Sequence, residues 1–574
     1  MSINFVHYSI LKNKPRAQKL ICSCFVTLCC FSLIIGLLNI RIIDMLGKPF
    51  NYQWLYYSNF LKGADAQAAI SANINSSYIF RLLSICISAI VIGMIALKAF
   101  SFLWYNISWR KTTIVLLLLT IIGYSITAQK KLQAHQWNYG RLANPITAFV
   151  ASVNPFAENP DLFTMQVSDS LIFRKENVPP NNLSVLPNNK IKNIIVFVLE
   201  STPAEYIQTY GSKYPVSPTI KKYEKQSITF ENIYAHAPAT NMSMVSLINS
   251  IYPWLSYNSL TQEHPDLKTP SISTELQQRG YRTAFFNSAD NRYQKADEYL
   301  LNRKFERISD CNYNSCGTQK FEYTDEKKNF LNGKDDACTG KEIIEWIKQD
   351  TSQPFLGIMW TYQTHYPYFF NGPEIVYEAN NALFNRYLNA LQHGDSVLGK
   401  LLEDLERLHL SESTLVVVVG DHGEAFGRHN QTTHGREIYE ENMHIPCVLI
   451  NPAFQGERKK EIGGMVDISP TIMNVLGFES PAEWHGTSLL SKTPESRAYF
   501  FAPWSDYLFG FREADYKYIY NATLNETEVY DLQNDPYEER NLVNEKMSSI
   551  NIAHQRLASW TQYVNSETEK ILKQ

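Results

Sequence analysis

The sequence predicts an α/β domain that follows a group of membrane-spanning helices. Three long apolar runs lie in the first 130 residues of the 574-residue chain. About 20 apolar residues suffice for a helix to cross the hydrocarbon layer of a membrane. Beyond residue 190, short apolar runs bounded by turn residues alternate with helical patterns. That alternation is typical of a parallel sheet with helices on both faces.

The three apolar runs are predicted to be transmembrane helices. They extend from Leu20 to Ile40, from Tyr78 to Trp104 and from Thr112 to Ala128. Each run could instead be a buried core helix, and the first could be a cleaved signal peptide. No small-residue cleavage site follows the first run, which argues against a signal peptide. We therefore predict a membrane domain of about three helices within residues 1–128.

The orientation of these helices follows from the positive charges in the short loops, which accumulate on the cytoplasmic side. The tail before the first run has four cations and no acid: Lys12, Lys14, Arg16 and Lys19. Arg110 and Lys111 lie between the second and third runs, and Lys130 and Lys131 follow the third. The balance predicts a cytoplasmic N-terminus, with the residues after Ala128 outside the cell membrane.

The composition limits the possible partners and suggests the redox environment. The chain has 53 basic and 56 acidic residues and a formal charge of -3, which argues against nucleic acid as a partner. Residues 129–190 are predicted to form a connector that contains an aromatic stretch followed by several Pro and Asn residues. Residues 191–574 are predicted to form the outer domain. An oxidising compartment would permit Cys311 to pair with Cys316 in that domain, although spacing alone cannot fix the connectivity.

Four apolar runs of the outer domain are predicted to be strands buried on both faces. Their sequences are NIIVFVLE, TAFFNS, PFLGIMWTY and TLVVVVGDHGE. In open α/β sheets the functional residues lie beyond the carboxyl ends of the strands. That rule selects Glu200, His365, and the adjacent pair Asp421 and His422.

Carboxylate oxygens and neutral imidazole nitrogens are common ligands of zinc and manganese, so these residues could form a metal site. Taken singly, a Glu after a strand is more often a helix cap or a solvated surface group, and a lone His is more often structural. Asp421 and His422 are a stronger indication, because they place two ligands on a tight turn that Gly423 permits.

Thr240 is the other informative residue. The apolar residues that follow it recur at helical spacing, which places Thr240 at or near a helix start: Met244, Leu247, Ile248 and Ile251. An ordinary Thr cap is one interpretation. The other is a phosphorylated nucleophile, because a helix N-terminus attracts a phosphate group and a hydroxyl there can attack it. Ser243 could also contact a phosphate or contribute to capping.

From about Asn193 to Val543 the chain resembles the sulfatase-like branch of the alkaline phosphatase superfamily. The motifs that carry the resemblance occur in the family's order: SPTIKKYEKQSITFENIYAHAPAT, DHGEAFG, YEENMHIPCVLI, DISPTIMNVLGF and VYDLQNDPYEERNLV. The resemblance implies an alkaline-phosphatase-like α/β/α domain with a central, mostly parallel sheet.

The resemblance also implies roles for particular residues. The family nucleophile precedes a Tyr-Pro pair by a fixed interval, and thirteen positions before Pro253 lies Thr240. True sulfatases have Cys or Ser there, whereas Thr is similar to the membrane-anchored phosphoethanolamine transferases and lipoteichoic acid synthases. Those relatives usually have five spans, against three counted here. The resemblance implies a metal site of Glu200, Thr240, Asp421 and His422, with His365 and His434 binding the substrate phosphate.

In such a transferase, a zinc or manganese ion activates the Thr240 hydroxyl, which attacks the phosphorus of a phospholipid headgroup and expels diacylglycerol. An acceptor on an envelope glycan or lipid then takes the phosphoethanolamine or phosphoglycerol group. The resemblance implies a multi-pass protein of the bacterial inner membrane with its catalytic domain on the outer face. Two alternatives remain: a sulfatase-like hydrolase, acting on phosphodiesters or sulfuric esters, and a non-catalytic lipid-binding or signalling protein that keeps the fold without the site.

Overall fold

The structure is a computed structural model, and it describes most of the chain after residue 189. The described residues are 27, 30–40, 42–43, 50–52, 78–88, 90–91, 149, 161–175, 190–313, 315–317, 322–323, 328–329, 333–370, 372–491, 493, 496–504 and 506–573. The chain forms two compact units. The first contains Met1–Leu55 and Gln67–Pro155, and the second contains Tyr56–Ala66 and Phe156–Gln574.

In the first unit, the described residues 30–40 and 78–88 are helical. The Tyr78 hydroxyl donates a hydrogen bond of 3.0 Å to the carbonyl of Leu37. Within the described parts of the chain, none of the helices combines the length and the hydropathy that a membrane crossing needs. The third apolar run lies wholly outside the described residues. The three spans and the boundaries at residues 128 and 190 therefore stay predictions.

The second unit is built on an eight-stranded sheet with the strand order β10-β2-β9-β8-β1-β7-β3-β4. Its strands are β1 (Asn193–Leu199), β2 (Ser227–Tyr234), β3 (Arg282–Asn287), β4 (Arg307–Ser309), β7 (Phe355–Trp360), β8 (Thr414–Gly420), β9 (His444–Ile450) and β10 (Glu457–Gly464), with a separate hairpin of β5 (Glu322–Tyr323) and β6 (Lys328–Asn329). Neighbouring strands are parallel except at β9, which is antiparallel to both β2 and β8. The predicted mostly parallel sheet is confirmed.

The four predicted strands correspond to β1, β3, β7 and β8, and all of their residues are buried. Alternate side chains of β1 enter two different cores. Ile194 and Val196 pack into one apolar cluster, while Ile195 and Phe197 pack into the cluster on the other face. Burial on both faces explains why these strands are continuous apolar runs and not alternating patterns.

Helices cover both faces of the sheet. They are α1 (Pro218–Tyr223), α2 (Thr240–Asn249), α3 (Leu260–Glu263), α4 (Ile272–Gln277), α5 (Ala296–Asn302), α6 (Asp336–Gln349), α7 (Ala382–Arg407), α8 (Glu440–Met443), α9 (Ile468–Val475) and α10 (Met547–Leu572). The apolar residues of α2 pack into the same core as Ile194. The helix predicted after Thr240 is therefore confirmed, and it begins at Thr240.

A smaller antiparallel sheet completes the unit. Its strands follow the order of the chain: β11 (Arg497–Ala502), β12 (Leu508–Glu513), β13 (Tyr516–Asn521) and β14 (Glu526–Asp531). Helix α10 shares a third apolar core with this sheet, in which Trp560 and Phe501 are fully buried.

A buried group of charges joins the smaller sheet to the chain that follows β8. Lys517 on β13 has no exposed side-chain surface, and its ammonium lies 3.0 Å from Glu440 Oε1 and 3.1 Å from Glu538 Oε1. Glu538 Oε2 accepts a 2.6 Å hydrogen bond from the backbone of Glu440. His429 spans the same junction, with Nδ1 at 2.6 Å from Glu441 and Nε2 at 3.2 Å from the carbonyl of Glu538. We call these residues the Lys517 cluster.

The disulfide differs from the pairing considered for the sequence. Cys316 is bonded to Cys338, 22 residues further along the chain. The suggested pairing of Cys311 with Cys316 is therefore wrong. Cys311 is buried beside β4, where its backbone donates to the carbonyl of Ala289. Cys338 lies in the first turn of α6, so the fold and not the sequence spacing brings it to Cys316.

Candidate active site

The candidate residues converge because the three strands that carry them are neighbours. Strand β1 lies between β7 and β8 and is parallel to both. Glu200 follows β1 directly, Asp421 and His422 follow β8, and His365 lies five residues after β7. All four therefore lie at the carboxyl edge of the sheet, as predicted.

Glu200 is held in a fixed position by neutral donors. It is only 2% exposed, so it is not the solvated surface group of the alternative interpretation. Trp360 Nε1 donates to Glu200 Oε2 over 3.1 Å, and the Ser201 hydroxyl donates to Glu200 Oε1 over 2.9 Å. Ser201 itself has a φ of +47°, in the left-handed region that non-glycine residues rarely adopt. Such strain is often found at functional sites.

Asp421 and His422 occupy a tight turn after β8. Asp421 Oδ1 accepts hydrogen bonds from the backbone of Ser201 at 2.8 Å and of His422 at 2.7 Å. His422 Nδ1 lies 3.0 Å from the carbonyl of Gly423 and therefore donates to it, which leaves the Nε2 lone pair available. A Cβ on Gly423 would lie 1.9 Å from the carbonyl oxygen of Glu441, so only glycine fits this turn.

Thr240 contacts both Glu200 and His422. Its hydroxyl lies 3.2 and 3.3 Å from the two carboxylate oxygens of Glu200 and 3.2 Å from His422 Nε2. The N-cap of α2 is Ala239, so Thr240 is the first helical residue and not the cap. The Ser243 hydroxyl donates to the carbonyl of Asp421 over 2.7 Å. The interpretation of Thr240 as an ordinary cap is wrong, because its hydroxyl faces the charged groups.

The donor set fits a divalent cation. One ligand atom from each of Glu200, Asp421 and His422 lies within 4.8 Å of the others. Asp421 Oδ2 is buried without a hydrogen-bond partner among the described residues, and His422 Nε2 is 3.5 Å away. A buried, unpaired carboxylate oxygen is costly unless a cation binds it. Two carboxylates with one imidazole are a typical donor set for such an ion.

Electrostatics point to the same conclusion. Burial, with the neighbouring Asp421 carboxylate, raises the pKa of Glu200 to about 7. Burial also raises the pKa of Asp421 to about 6. Burial and the nearby His434 lower the pKa of His422 to about 4, which keeps its imidazole neutral. A bound cation would stabilise both ionised carboxylates and use the neutral imidazole as a ligand.

The two histidines expected to bind phosphate lie beside this group. The ring of His434 is centred 4.2 Å from that of His422 and 6.2 Å from that of His365. His365 stacks on Tyr362 with ring centroids 5.0 Å apart. His434 keeps 13% of its side chain exposed. The structure thus brings all six candidate residues to one place, and their individual roles stay predictions.

One acidic residue of the site was missed by the sequence reasoning. Glu424 is fully buried, and its Oε2 lies 3.2 Å from His434 Nδ1. Burial raises the pKa of its carboxyl to about 7. Its place in the Asp-His-Gly-Glu segment, two residues after His422, is the only sequence signal that could have indicated it. The contact with Glu424 fixes the orientation of the His434 ring.

Known proteins resemble the chain in sequence and in fold. A curated relative, "Lipoteichoic acid synthase-like YvgJ" of Bacillus subtilis, is 23% identical over 66% of this chain and 64% of its own length. The "Delta 4,5-hexuronate-2-O-sulfatase" of Bacteroides thetaiotaomicron is 28% identical over 31% of this chain and 41% of its own length. The matches thus span less than two thirds of either relative.

The fold matches a crystal structure from Vibrio parahaemolyticus, described as a protein in the alkaline phosphatase superfamily. The TM-score is 0.57 at 16% identity, over 72% of this chain and 99% of that one. The C-terminal family of N-sulphoglucosamine sulphohydrolase matches residues 429–562. The sulfatase family matches residues 192–478, which is half of the chain and includes all six candidate residues. The chain therefore belongs to the sulfatase family.

Proposed function

We propose that the chain transfers a phosphorylated headgroup, phosphoethanolamine or phosphoglycerol, from a phospholipid to a glycan or lipid of the cell envelope. The observation that carries the proposal is the Thr240 hydroxyl, which faces Glu200 and His422 at the start of α2. In the resembling sulfatases this position is Cys or Ser, which is oxidised to an aldehyde. Thr instead offers a simple alkoxide nucleophile.

The residues around Thr240 have complementary roles in this reaction. A bound zinc or manganese ion would supply charge that favours the Thr240 alkoxide and the developing phosphoryl charge. Glu200, Asp421 and His422 would hold that ion. The Thr240 oxygen attacks phosphorus while its proton passes to the departing diacylglycerol oxygen. The acceptor hydroxyl then attacks the phosphothreonine, and its proton returns to the Thr240 oxygen as that P–O bond breaks. His365 and His434 stabilise the phosphoryl oxygens and relay the proton in both steps.

A curated relative supports the transferase class. The Bacillus subtilis protein, whose match spans 66% of this chain, is named as similar to lipoteichoic acid synthase. A synthase of that kind joins a group to an acceptor, whereas a hydrolase gives it to water. Phosphoryl transfer through a covalent threonine ester would allow either outcome. The enzyme is a transferase if an envelope glycan or lipid takes the group, and a hydrolase if water takes it.

A sulfatase-like hydrolase is the second candidate. It is favoured by the Bacteroides relative, which is named as a sulfatase, and by the match of residues 429–562 to a sulphohydrolase C-terminal family. In this alternative, water would release the group held by Thr240. A sulfuric ester or a phosphodiester would be the substrate.

Product analysis separates the two candidates. The full chain is incubated with phosphatidylethanolamine and phosphatidylglycerol that carry labelled headgroups, with and without envelope lipids and glycans. Transfer predicts diacylglycerol, a labelled acceptor, and a labelled Thr240 peptide in mass spectra of protein trapped early. Hydrolysis predicts free phosphoethanolamine or glycerol phosphate in the same amount with or without acceptors. An unlabelled Thr240 in active protein would contradict the covalent mechanism.

Glu424→Gln is expected to lower kcat about tenfold or more without a comparable change in KM. The amide keeps the size of the side chain but cannot exchange a proton with His434, whose contribution as an acid or base is typically about 10²-fold or more. The measurement is headgroup release as a function of substrate concentration. Glu412→Gln is the matched control, because Glu412 is exposed and pairs with Lys190 on the surface. An unchanged kcat for Glu424→Gln would exclude the positioning role.

We also propose that the catalytic domain faces the outside of a bacterial inner membrane, with the N-terminus in the cytoplasm. The four unopposed cations before Leu20 support this orientation. The disulfide between Cys316 and Cys338 supports an oxidising compartment for the domain. A phosphatase reporter that is active only after export should be active when it is fused after Gln574. A reporter that is active only in the cytoplasm should be inactive at the same place. The reverse pattern would overturn the orientation.

A further inference from the structure

A polar cavity lies at the end of helix α2 that is opposite Thr240. Its volume is about 230 Å³, and its wall includes Tyr252 and the segment from Ser170 to Lys175. Tyr252 follows the last residue of α2, Asn249, by three positions. The ten residues of α2 place about 15 Å of helix between this cavity and the candidate nucleophile. The cavity is therefore separate from the candidate active site, and we call it the distal cavity.

The distal cavity is lined by an excess of cations: Arg174, Lys175, Arg497 and Arg556. The acids near it are already compensated. Asp467 accepts hydrogen bonds from the backbone of Gly464 at 2.9 Å and of Thr487 at 2.8 Å. Glu513 pairs with two of these arginines at once. The protein therefore leaves net positive charge at the wall.

The cations are crowded together. Burial lowers the pKa of Arg556, and the nearby Arg497 lowers it further. Burial also lowers the pKa of Lys175, although the exposed Glu483 partly offsets the effect. The ammonium of Lys175 donates to the carbonyl of Ala482 over 3.4 Å, which leaves donors for another partner. Like charges held together in this way favour the binding of an anion.

Two buried side chains add neutral donors to the wall. His485 and Thr487 are 5% and 9% exposed. His485 Nδ1 accepts a 3.0 Å hydrogen bond from the backbone of Tyr252, so the proton of the ring is on Nε2. Neither His485 Nε2 nor Thr487 Oγ1 has a hydrogen-bond partner within the described part of the chain. Buried polar atoms without partners are uncommon, and a ligand often supplies the missing partner.

We propose that the distal cavity binds a tetrahedral oxyanion, phosphate or sulfate, either as the free ion or as a monoester. Arginine side chains match the oxygens of such anions in bidentate geometry. The three arginines and one lysine of the wall exceed the number of cations that its own acids need. A cavity of about 230 Å³ also has room for a small alcohol attached to the anion. The inference rests on the cavity alone and not on the proposed transfer reaction.

The test is calorimetric titration of the full chain with inorganic phosphate at constant ionic strength. Lys175→Gln combined with Arg556→Gln is expected to weaken binding at least about tenfold, since each charge-assisted hydrogen bond contributes roughly that much. Lys348→Gln with Arg540→Gln is the matched control, because both cations form exposed surface ion pairs. The control should bind phosphate as the unchanged protein does. Equal affinities for the two double variants would overturn the proposal.

A second pair of variants guards against a loss of folding. Thr487→Val and Thr209→Val each remove a buried hydroxyl that lacks a partner among the described residues, but only Thr487 lines the distal cavity. Both variants should keep the thermal midpoint of the unchanged protein within a few degrees. Only Thr487→Val is expected to weaken phosphate binding, by about threefold or more. The same affinity for both would count against the site.

A third comparison separates the distal cavity from the candidate active site. Protein with both His365→Ala and His434→Ala should still bind one phosphate, and adding Lys175→Gln and Arg556→Gln should weaken that binding at least about tenfold. Loss of all binding in the histidine variant would overturn the inference while leaving the proposed function intact. Glycerol phosphate identifies the source of the anion: tighter binding than inorganic phosphate indicates an esterified group, and equal binding indicates the free ion.

Discussion

Thr240→Ala is expected to abolish headgroup release, by at least about a thousandfold, while the domain stays folded. The change removes the only hydroxyl that lies within 3.3 Å of both Glu200 and His422 in the described structure. It should not cost stability, because the N-cap is Ala239 and not Thr240. Alanine is also a better helix former than threonine by roughly 0.5 kcal/mol.

Turnover and thermal unfolding of the same preparation provide the measurement. Thr240→Ser is the control, since it keeps a hydroxyl and should retain part of the activity without oxidation to an aldehyde. Thr561→Ala tests the general effect of losing a buried threonine hydroxyl, because Thr561 is buried on α10 and bonds the carbonyl of Ala558 in the same helix. Near-normal release of diacylglycerol by a folded Thr240→Ala protein would leave a hydrolase with an activated water as the better account.

Asp421→Asn is expected to remove most of the bound divalent cation and nearly all activity. The amide can still accept the hydrogen bonds of Ser201 and His422, but it replaces the unpaired oxygen with a neutral group. Metal content measured by mass spectrometry should fall well below that of the unchanged protein. A chelator should abolish the activity of the unchanged protein, and added zinc or manganese should restore it. An unchanged metal content in Asp421→Asn would exclude this ligand assignment.

The same variant should change the pH dependence of stability in the chelated protein. Burial raises the pKa of Asp421 from 3.8 to about 6, so the folded state favours the protonated carboxyl. The protonated carboxyl therefore stabilises the folded state fully below about pH 4, and this contribution to the free energy of unfolding is lost as the pH rises through about 6. Asparagine does not ionise, so Asp421→Asn should gain stability relative to the unchanged protein across that interval. Denaturant unfolding at several pH values measures the difference.

The sheet was predictable because the sequences of buried parallel strands are continuous apolar runs. Strands β1, β7 and β8 were found in this way, and the residues after them are the ones that converge. Thr240 was found because helical periodicity begins directly after it. In each case a local pattern carries the information, since the position of a strand end or a helix start depends on neighbouring residues in the chain.

Features that depend on distant residues could not be predicted. The insertion of β9 between β2 and β8, antiparallel to both, follows from packing that no local pattern reports. Local sequence does not distinguish Glu424 from an ordinary exposed acid, and only the fold buries it beside His434. The partner of Cys316 was missed for the same reason, because the start of α6 reaches it through the tertiary structure.

The Lys517 cluster has a consequence for the order in which the chain acquires activity. His434 lies between β8 and α8, and the start of α8 at Glu440 is held by Lys517 and Glu538, which follow it in the chain and are therefore synthesised later. A nascent chain that ends before them leaves Glu440 without the ammonium of Lys517 and without the carboxylate that its backbone bonds. Glu200, Asp421 and His422 can therefore exist in the growing polypeptide before the segment that carries His434 is ordered. Chains truncated before Lys517 should show protease cleavage near His429, and resistance there would contradict this maturation order.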